Sequence, residues 1–504
     1  MKSSLYAVIN VGASAVRMQI SEFVNGKETL LEYLVSPLRL GRDTFSKGYI
    51  TLESLNKAVD IMKKFADKLT EYDLWKNYKA ICTSGVRDAD NKYFFIDRIK
   101  TKTGIELNII DGLEELYVKY LAIKNDIKDF KKFEEEGVLL LNFSSGNVGI
   151  NIFKNGINLF SSVLPYGSLR IAEYVKNIKN ELKHRAFDIY AEKLTNQIKQ
   201  YCKGINEIKY LIGSGSSINL LTEVTYPKSN TIKKSDLEKL YNKVKFLEPA
   251  AISQELKVSD YNGEIFLPTV RLYLSIMNML GTKEMIFSKQ TFPHQLLLYY
   301  SKKIKENNLQ KKIIKNLLHF GKKYNLDEKH AKQVSNFSLK LFDALEDLHS
   351  LGNKEKFILE AASLLHDIGY YIDIHNHHEH SSYIISSFKM PGYDKNAMRI
   401  ISVISYLHRG KKVKSDHIFN QLSPDDQLVI KKIVAILKIA DALDASHMQI
   451  VQDINVSVSD NVIKITAISK DIPYIEEKVF NRKNRDFLEI FGIPILFEAK
   501  IGYE

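Results

Sequence analysis

The sequence predicts a multidomain fold of mixed class: a duplicated α/β front half, an all-helical segment behind it, and a small α+β module at the end. Three observations carry this expectation. A strand–turn–strand pattern at 6–20 starts again at 137–153. From about residue 308 to about residue 444 the apolar residues recur at helical spacing with few β-branched runs. Strand patterning then returns, as at 454–458 and 462–465. At roughly 100–200 residues per domain, 504 residues allow three or four domains, expected at 1–124, 125–305, 306–445 and 446–504.

Within the front half, residues 6–10 form a short apolar run closed by Gly12, and 16–20 form a second, as two strands joined by a tight turn would. Apolar positions at helical spacing follow over 52–69, then a strand at 79–83 that ends in the polar turn Ser84-Gly85. The repeat begins with Val138-Leu139-Leu140-Leu141, a run apolar on both faces. It passes through the turn Ser144-Ser145-Gly146-Asn147 into a strand at 148–153. A third glycine loop, Gly213-Ser214-Gly215, follows the strand 210–212.

Composition excludes several classes. The chain is 45% hydrophobic and 26% charged, ordinary for a folded protein. No apolar run reaches about 18 residues, so no membrane-spanning helix is expected. The start MKSSLYAVIN lacks the pattern of a signal peptide. Two cysteines, Cys82 and Cys202, give neither a disulfide framework nor zinc-type spacing, and a cytoplasmic location is the default expectation. The net charge of +12 suits polyanionic partners, although lysine also serves solubility. Basic pairs such as Lys311-Lys312 and Lys411-Lys412 are scattered, and no dedicated nucleic-acid motif is present.

A tight turn between strands aims consecutive N–H groups at one point, and glycine lets the backbone approach an anion closely. Three such loops, at 10–15, 144–147 and 213–217, predict phosphate binding. Two of these loops, at 10–15 and 213–217, lie within longer patterns. Ala7-Val8-Ile9-Asn10-Val11-Gly12-Ala13-Ser14-Ala15-Val16-Arg17, Thr83-Ser84-Gly85-Val86-Arg87-Asp88-Ala89, Ile110-Asp111-Gly112-Leu113-Glu114-Glu115-Leu116, Leu164-Pro165-Tyr166-Gly167-Ser168-Leu169-Arg170 and Gly213-Ser214-Gly215-Ser216-Ser217 resemble, in order, motifs of the exopolyphosphatase/guanosine pentaphosphate phosphatase (Ppx/GppA) family.

The resemblance implies an actin-like ATPase (ribonuclease H-like) fold for the front half and phosphoanhydride hydrolysis in the cleft between its lobes. It implies Glu115 as the base for an attacking water, Mg²⁺ as the metal, and polyphosphate or guanosine penta- or tetraphosphate as the ligand. Gly12, Arg17, Arg87, Ser145, Gly146, Asn147, Gly213 and Gly215 are the expected substrate contacts, and a homodimer is expected. The chain also departs from the family: its two loop aspartates are Asn10 and Asn142 here, and its second-loop glutamate is Gly149. Hard Mg²⁺ wants anionic oxygens, and these positions supply none.

In the helical segment, Leu364-Leu365-His366-Asp367-Ile368-Gly369 resembles the core motif of the HD superfamily. With His330 upstream and Asp441 downstream, the set His330, His366, Asp367 and Asp441 matches that superfamily's metal ligands. Each sits on an apolar helical face, where an unpaired charge is costly, and Asp441 has no local partner except Lys438. Imidazole with carboxylate suits Mn, Fe, Zn or Ni. Further histidines at 375, 377, 378, 380 and 408 offer ligands for a second position.

Three functions follow as expectations: a Ppx/GppA-type phosphohydrolase, an HD-type metal phosphohydrolase with a sensing front half, or a non-catalytic polyphosphate or alarmone regulator.

Overall fold

The computed structural model describes residues 3–25, 27–201, 207–301, 309–387, 393, 395–409, 417–459 and 461–501; Cys202, Lys411 and Lys412 lie outside them. The chain divides into two compact units, Met1–Glu306 and Asn307–Glu504.

The first unit holds two sheets of the same design. In the first lobe, β1 (Ser3–Val11), β2 (Ala15–Val24), β3 (Lys27–Pro37), β4 (Tyr78–Cys82) and β5 (Leu107–Ile109) lie in the order β3-β2-β1-β4-β5. The first three run antiparallel, and β4 and β5 continue parallel to β1. In the second lobe, β6 (Val138–Phe143), β7 (Val148–Lys154), β8 (Ile157–Leu164), β9 (Tyr210–Ser214), β10 (Thr231–Lys233) and β11 (Glu284–Phe287) lie in the order β10-β11-β9-β6-β7-β8. Apart from the edge strand β10, this is the same path through the sheet, so the duplication is real at the level of topology. Every residue of β6 is buried, as its continuous apolar run requires. The third strand of each meander, β3 and β8, is not evident in the sequence pattern.

The helix Gly112–Asp126 starts where the Asp111 side chain accepts from the Leu113 N–H at 2.8 Å. Most of its residues are buried, which explains its weak amphipathic signature.

The turn joining β1 to β2 and the turn joining β6 to β7 both pack against Ser84-Gly85, just after β4, and glycines permit these contacts. A Cβ on Gly85 would stand 2.6 Å from Ala13 Cα, and one on Gly146 would stand 2.1 Å from Ser84 Oγ. One on Gly167 would stand 2.2 Å from the Gly146 carbonyl carbon and 2.4 Å from Asn147 N. Arg170 fastens the junction: its Nε donates to Gly146 O at 2.9 Å, its guanidinium stacks on Phe45, and it pairs with Asp88.

Gly167→Ala is a clean test of this packing, because Gly167 has an ordinary φ of −62° and only the added methyl matters. Backbone rather than a flexible side chain blocks that methyl. The expected loss is therefore at the upper end of overpacking costs, about 3 kcal/mol, read as a lower midpoint in chemical unfolding. An unchanged midpoint would contradict the loop packing.

In the second unit, the helices Leu309–Lys322, Glu328–Ala344, Asn353–Leu365, Lys395–Leu407 and Pro424–Ala442 surround one core. A sheet of β12 (Val451–Val458), β13 (Ile463–Ser469) and β14 (Ile495–Ile501), in that order, follows with the helix Tyr474–Phe491. Val451, Ile465, Phe480 and Phe487 join the core built by Val334, Phe337 and Leu341, so the sheet and the helices share it. Among the described residues, no helix is long and apolar enough to cross a membrane.

Candidate functional site

Pairing register sets the floor of the front cleft. Asn10 on β1 stands opposite Arg17 on β2, and Asn142 on β6 stands opposite Gly149 on β7 and beside Ser214 on β9. Of the residues expected to contact substrate, Gly12, Arg17, Ser145, Gly146 and Gly215 line this cleft together with Glu115. Gly215 has φ +94°, and a Cβ there would meet Phe143 O at 2.5 Å, so this turn needs glycine.

Gly213, Arg87 and Asn147 stand behind the lining. Gly213 is a packing glycine, its missing Cβ only 2.7 Å from Ile218 Cδ1. Arg87 Nη1 donates to Ile110 O at 2.9 Å and to Glu115 Oε2 at 3.1 Å. With its amide turned to satisfy both neighbours, Asn147 accepts from Arg87 Nη2 at 2.7 Å and donates to Gly146 O at 2.7 Å. Arg87 thus orients Glu115 and the loop rather than reaching into the cleft.

Glu115 is buried, and Lys119, one helical turn later, donates to its Oε1 at 2.5 Å. The same ammonium donates to Asn142 Oδ1 at 2.8 Å and lies over the Phe292 ring, and Asn142 passes the chain on to Ser214 Oγ at 2.9 Å. Burial alone would raise the Glu115 pKa, but the Lys119 ammonium and the Arg87 guanidinium outweigh it and hold the carboxyl below its ordinary range. Asn10 Oδ1 is a buried acceptor with no hydrogen-bond partner.

The second cluster lies wholly within the helical unit. His330 rides on the helix capped by Asp327, His366 follows the helix Asn353–Leu365, and Asp441 ends the helix Pro424–Ala442. His330 Nε2 is 3.5 Å from Asp367 Oδ2 and 3.6 Å from Asp441 Oδ1, while His366 Nε2 is 3.4 Å and 3.6 Å from the same two oxygens. The other Asp367 oxygen, Oδ1, is 3.3 Å from His377 Nε2 and 3.4 Å from His408 Nε2. Of the histidine run 375–380, His377 is the buried member.

All four rings are fixed through Nδ1. His330 Nδ1 meets Asp444 Oδ2, and the others meet the carbonyls of Ser363, Ile374 and Ser405. Nε2 therefore points inward in each case, and on His330 and His366 it is buried with no hydrogen-bond partner. Donors about 2.1 Å from a common metal and 90–110° apart lie about 3.0–3.4 Å from one another. The observed separations of 3.3–3.6 Å lie at the upper edge of that spacing or just beyond it, and all are longer than an ordinary hydrogen bond. His330, His366, Asp367 and Asp441 are thus brought together as the sequence predicts, and Asp367 is shared with a second nest.

Without a metal, burial disfavours a charged His330, but Asp367, Asp441 and Asp444 outweigh it and push its pKa up to about 12. His377 is lowered to about 4, chiefly by burial.

Comparison with known proteins decides the family. Residues 19–303 match the model of the Ppx/GppA phosphatase family, and residues 314–482 match that of the Ppx/GppA phosphatase, domain III. This chain belongs to the Ppx/GppA phosphatase family. A guanosine-5'-triphosphate,3'-diphosphate pyrophosphatase of Pseudoalteromonas translucida is 20% identical over 479 residues, 92% of each chain. Its namesake from Photobacterium profundum is 20% identical over 411 residues, 79% of each. Among solved structures, an exopolyphosphatase from Cytophaga hutchinsonii has TM-score 0.51 at 20% identity, spanning 60% of this chain and 98% of that one. The Aquifex aeolicus PPX-GPPA enzyme has TM-score 0.50 at 18% identity, spanning 59% and 100%. These likenesses establish the actin-like ATPase type of fold.

Ppx/GppA phosphatases generally depend on a divalent metal. The residues of this front cleft do not fit one. Asn10 and Asn142 are neutral, and Glu115 is already bound by two cations. Opposite Asn142, the place of a side chain at Gly149 is filled by Leu116, whose Cδ1 lies 2.6 Å from where a Cβ would stand. The helical cluster does fit: its donor set of imidazoles and carboxylates suits a transition metal.

Sequence reasoning missed Lys119, Asp444 and Lys483. Lys119 had a signal, the Glu115-x-x-x-Lys119 spacing inside an otherwise apolar helix. Asp444 follows Asp441 by three residues at the same helix end. Lys483 had none: it reaches Asp441 Oδ2 at 2.5 Å from the helix Tyr474–Phe491, while Lys438, the expected local partner, pairs with Asp486.

Proposed function

We propose that this chain is a phosphoanhydride hydrolase of the Ppx/GppA type, releasing terminal phosphate from inorganic polyphosphate or guanosine pentaphosphate in the front cleft. The observation that carries this reading is Glu115, an ionised carboxylate held in a cleft that the turns 12–14 and 144–146 both line. The backbone of those turns, with Arg17, holds phosphate oxygens. Glu115 accepts a hydrogen bond from water and draws its proton as the terminal phosphorus is attacked. Lys119 and Arg87 keep the carboxylate charged and fixed in direction. The names of the relatives support the substrate class. The test is phosphate release from both substrates by wild type and Glu115→Gln.

The low Glu115 pKa gives a stability prediction. Its folded value is depressed, so the Glu115 contribution is complete above the unfolded carboxylate pKa of about 4.3 and is lost as pH falls through the folded value. Melting temperatures of wild type and Glu115→Gln, followed from neutral pH downward, should converge below about pH 4.3. A constant gap would contradict the assigned ionisation.

A second reading has its own observation: the unpartnered His330 and His366 Nε2 atoms facing shared carboxylates. The second unit then carries an HD-type metal centre. His330, His366, Asp367 and Asp441 would hold one divalent Mn, Fe, Zn or Ni, and Asp367, His377 and His408 would hold a second. Such a metal supplies Lewis acidity toward a phosphate oxygen. Asp444 fixes the His330 tautomer, and Lys483 offsets charge on Asp441. Elemental analysis is the test.

A further inference from the structure

We propose that Lys119 is the resident cation of the front cleft, supplying from within the chain the positive charge that a divalent metal would otherwise bring, so that the cleft holds an inorganic phosphate chain without a metal ion. This rests on the front cleft being the phosphate site proposed above.

The argument begins with charge. Among the side chains lining the cleft, three are basic, Arg17, Lys119 and Lys289, and Glu115 alone is acidic. A lining of that sign attracts a polyanion directly and disfavours a bare divalent cation. Had positions 10, 142 and 149 carried acids, the same lining would repel phosphate unless a metal neutralised it.

The second step is burial. The Lys119 side chain is 8% exposed, and an ammonium that deep is retained only where its hydrogen bonds are met. Glu115 Oε1 and Asn142 Oδ1 take two of its three N–H groups. Asn142 stands where the family's loop aspartate would be. It faces the ammonium with its oxygen and Ser214 with its nitrogen, so the amide is oriented as a ligand to Lys119. The neutral Asn142 and the buried lysine thus satisfy one another, and Leu116 fills the space beside Gly149. Lys119 still lines the cleft, and its point charge suits phosphate oxygens.

The experiment is calorimetric titration of the full chain with inorganic tripolyphosphate, in EDTA and then in Mg²⁺. EDTA withholds free divalent metal, and the Lys119 variants assign the binding seen there to the front cleft. Wild type is expected to bind in EDTA at least as tightly as in Mg²⁺. Lys119→Met should bind about 10-fold more weakly or worse, as loss of a charged hydrogen bond implies, and Lys119→Arg should retain most of the affinity. If Lys119→Met, by leaving Glu115 Oε1 without its donor, misfolds, Lys119→Met with Glu115→Gln removes both charges, and it too should bind weakly.

Binding by wild type that appears only with Mg²⁺, or full affinity in a folded Lys119→Met chain, overturns the proposal. Metal-free binding lost in Lys119→Met, without any phosphate release by wild type, sinks the hydrolase reading and leaves this one standing. Phosphate release with binding that needs Mg²⁺ does the reverse.

Discussion

Replacing Asp367 by alanine should remove bound metal from the helical unit altogether. Wild type purified without chelators is expected to carry about two equivalents of a first-row transition metal, and the variant close to none. The expectation follows from how one carboxylate is used. Oδ2 lies 3.5 Å and 3.4 Å from the inward nitrogens of His330 and His366, and Oδ1 lies 3.3 Å and 3.4 Å from those of His377 and His408. Alanine removes a ligand from both nests at once. It also removes one of the carboxylates that offset charge on the buried imidazoles, so the variant's fold must be checked by circular dichroism. Asp444→Asn is the gentler probe. It leaves every inward donor in place and weakens the anchor on His330 Nδ1, 2.9 Å away, together with the hydrogen bonds Asp444 accepts from Gln449. Loss of such an outer partner usually costs about 10–100-fold in metal affinity. Equal metal content in wild type and Asp367→Ala would identify the cluster as a packing device.

What could be read from the sequence depended on how local each signal was. The hairpins β1–β2 and β6–β7 were legible because short apolar runs flank glycine turns, and that pattern requires only neighbours in the chain. The third strands β3 and β8 were not. Half-exposed meander strands alternate weakly, and every residue of β8 is partly buried. The convergence of His330, His366, Asp367 and Asp441 was legible because a His-Asp pair closing an apolar helix is rarely left without partners. Its completion by Lys483 was not, since that lysine arrives from a helix 42 residues beyond Asp441. Arg87 was read as a phosphate contact because arginine in a phosphate motif invites that reading. Its actual partner, Glu115, lies 28 residues away and meets it only through the fold. Lys119 illustrates the opposite error: its spacing from Glu115 was visible, but a lysine in a helix is ordinarily solvated, and only the burial of its neighbours gives the pair meaning.

Glu115→Gln should reduce phosphate release from polyphosphate and from guanosine pentaphosphate by about 10²–10⁴-fold, the usual contribution of a positioned general base. The substitution is nearly isosteric. The amide oxygen can still accept from Lys119 or from Arg87, but the negative charge that faces both is gone. Two consequences separate a catalytic role from a structural one. First, substrate binding should be kept or improved, because the one acidic side chain lining the cleft has been neutralised beside an anionic ligand. A merely structural glutamate would lose binding and turnover together. Second, the residual activity should be insensitive to pH in the acid range, whereas wild-type activity falls only as Glu115 itself protonates, below the ordinary carboxylate range. Turnover by Glu115→Gln equal to wild type would remove Glu115 from the mechanism. If release continued in Glu115→Gln and vanished in Asp367→Ala, the hydrolytic centre would lie in the helical unit, and the front cleft would be left with binding alone.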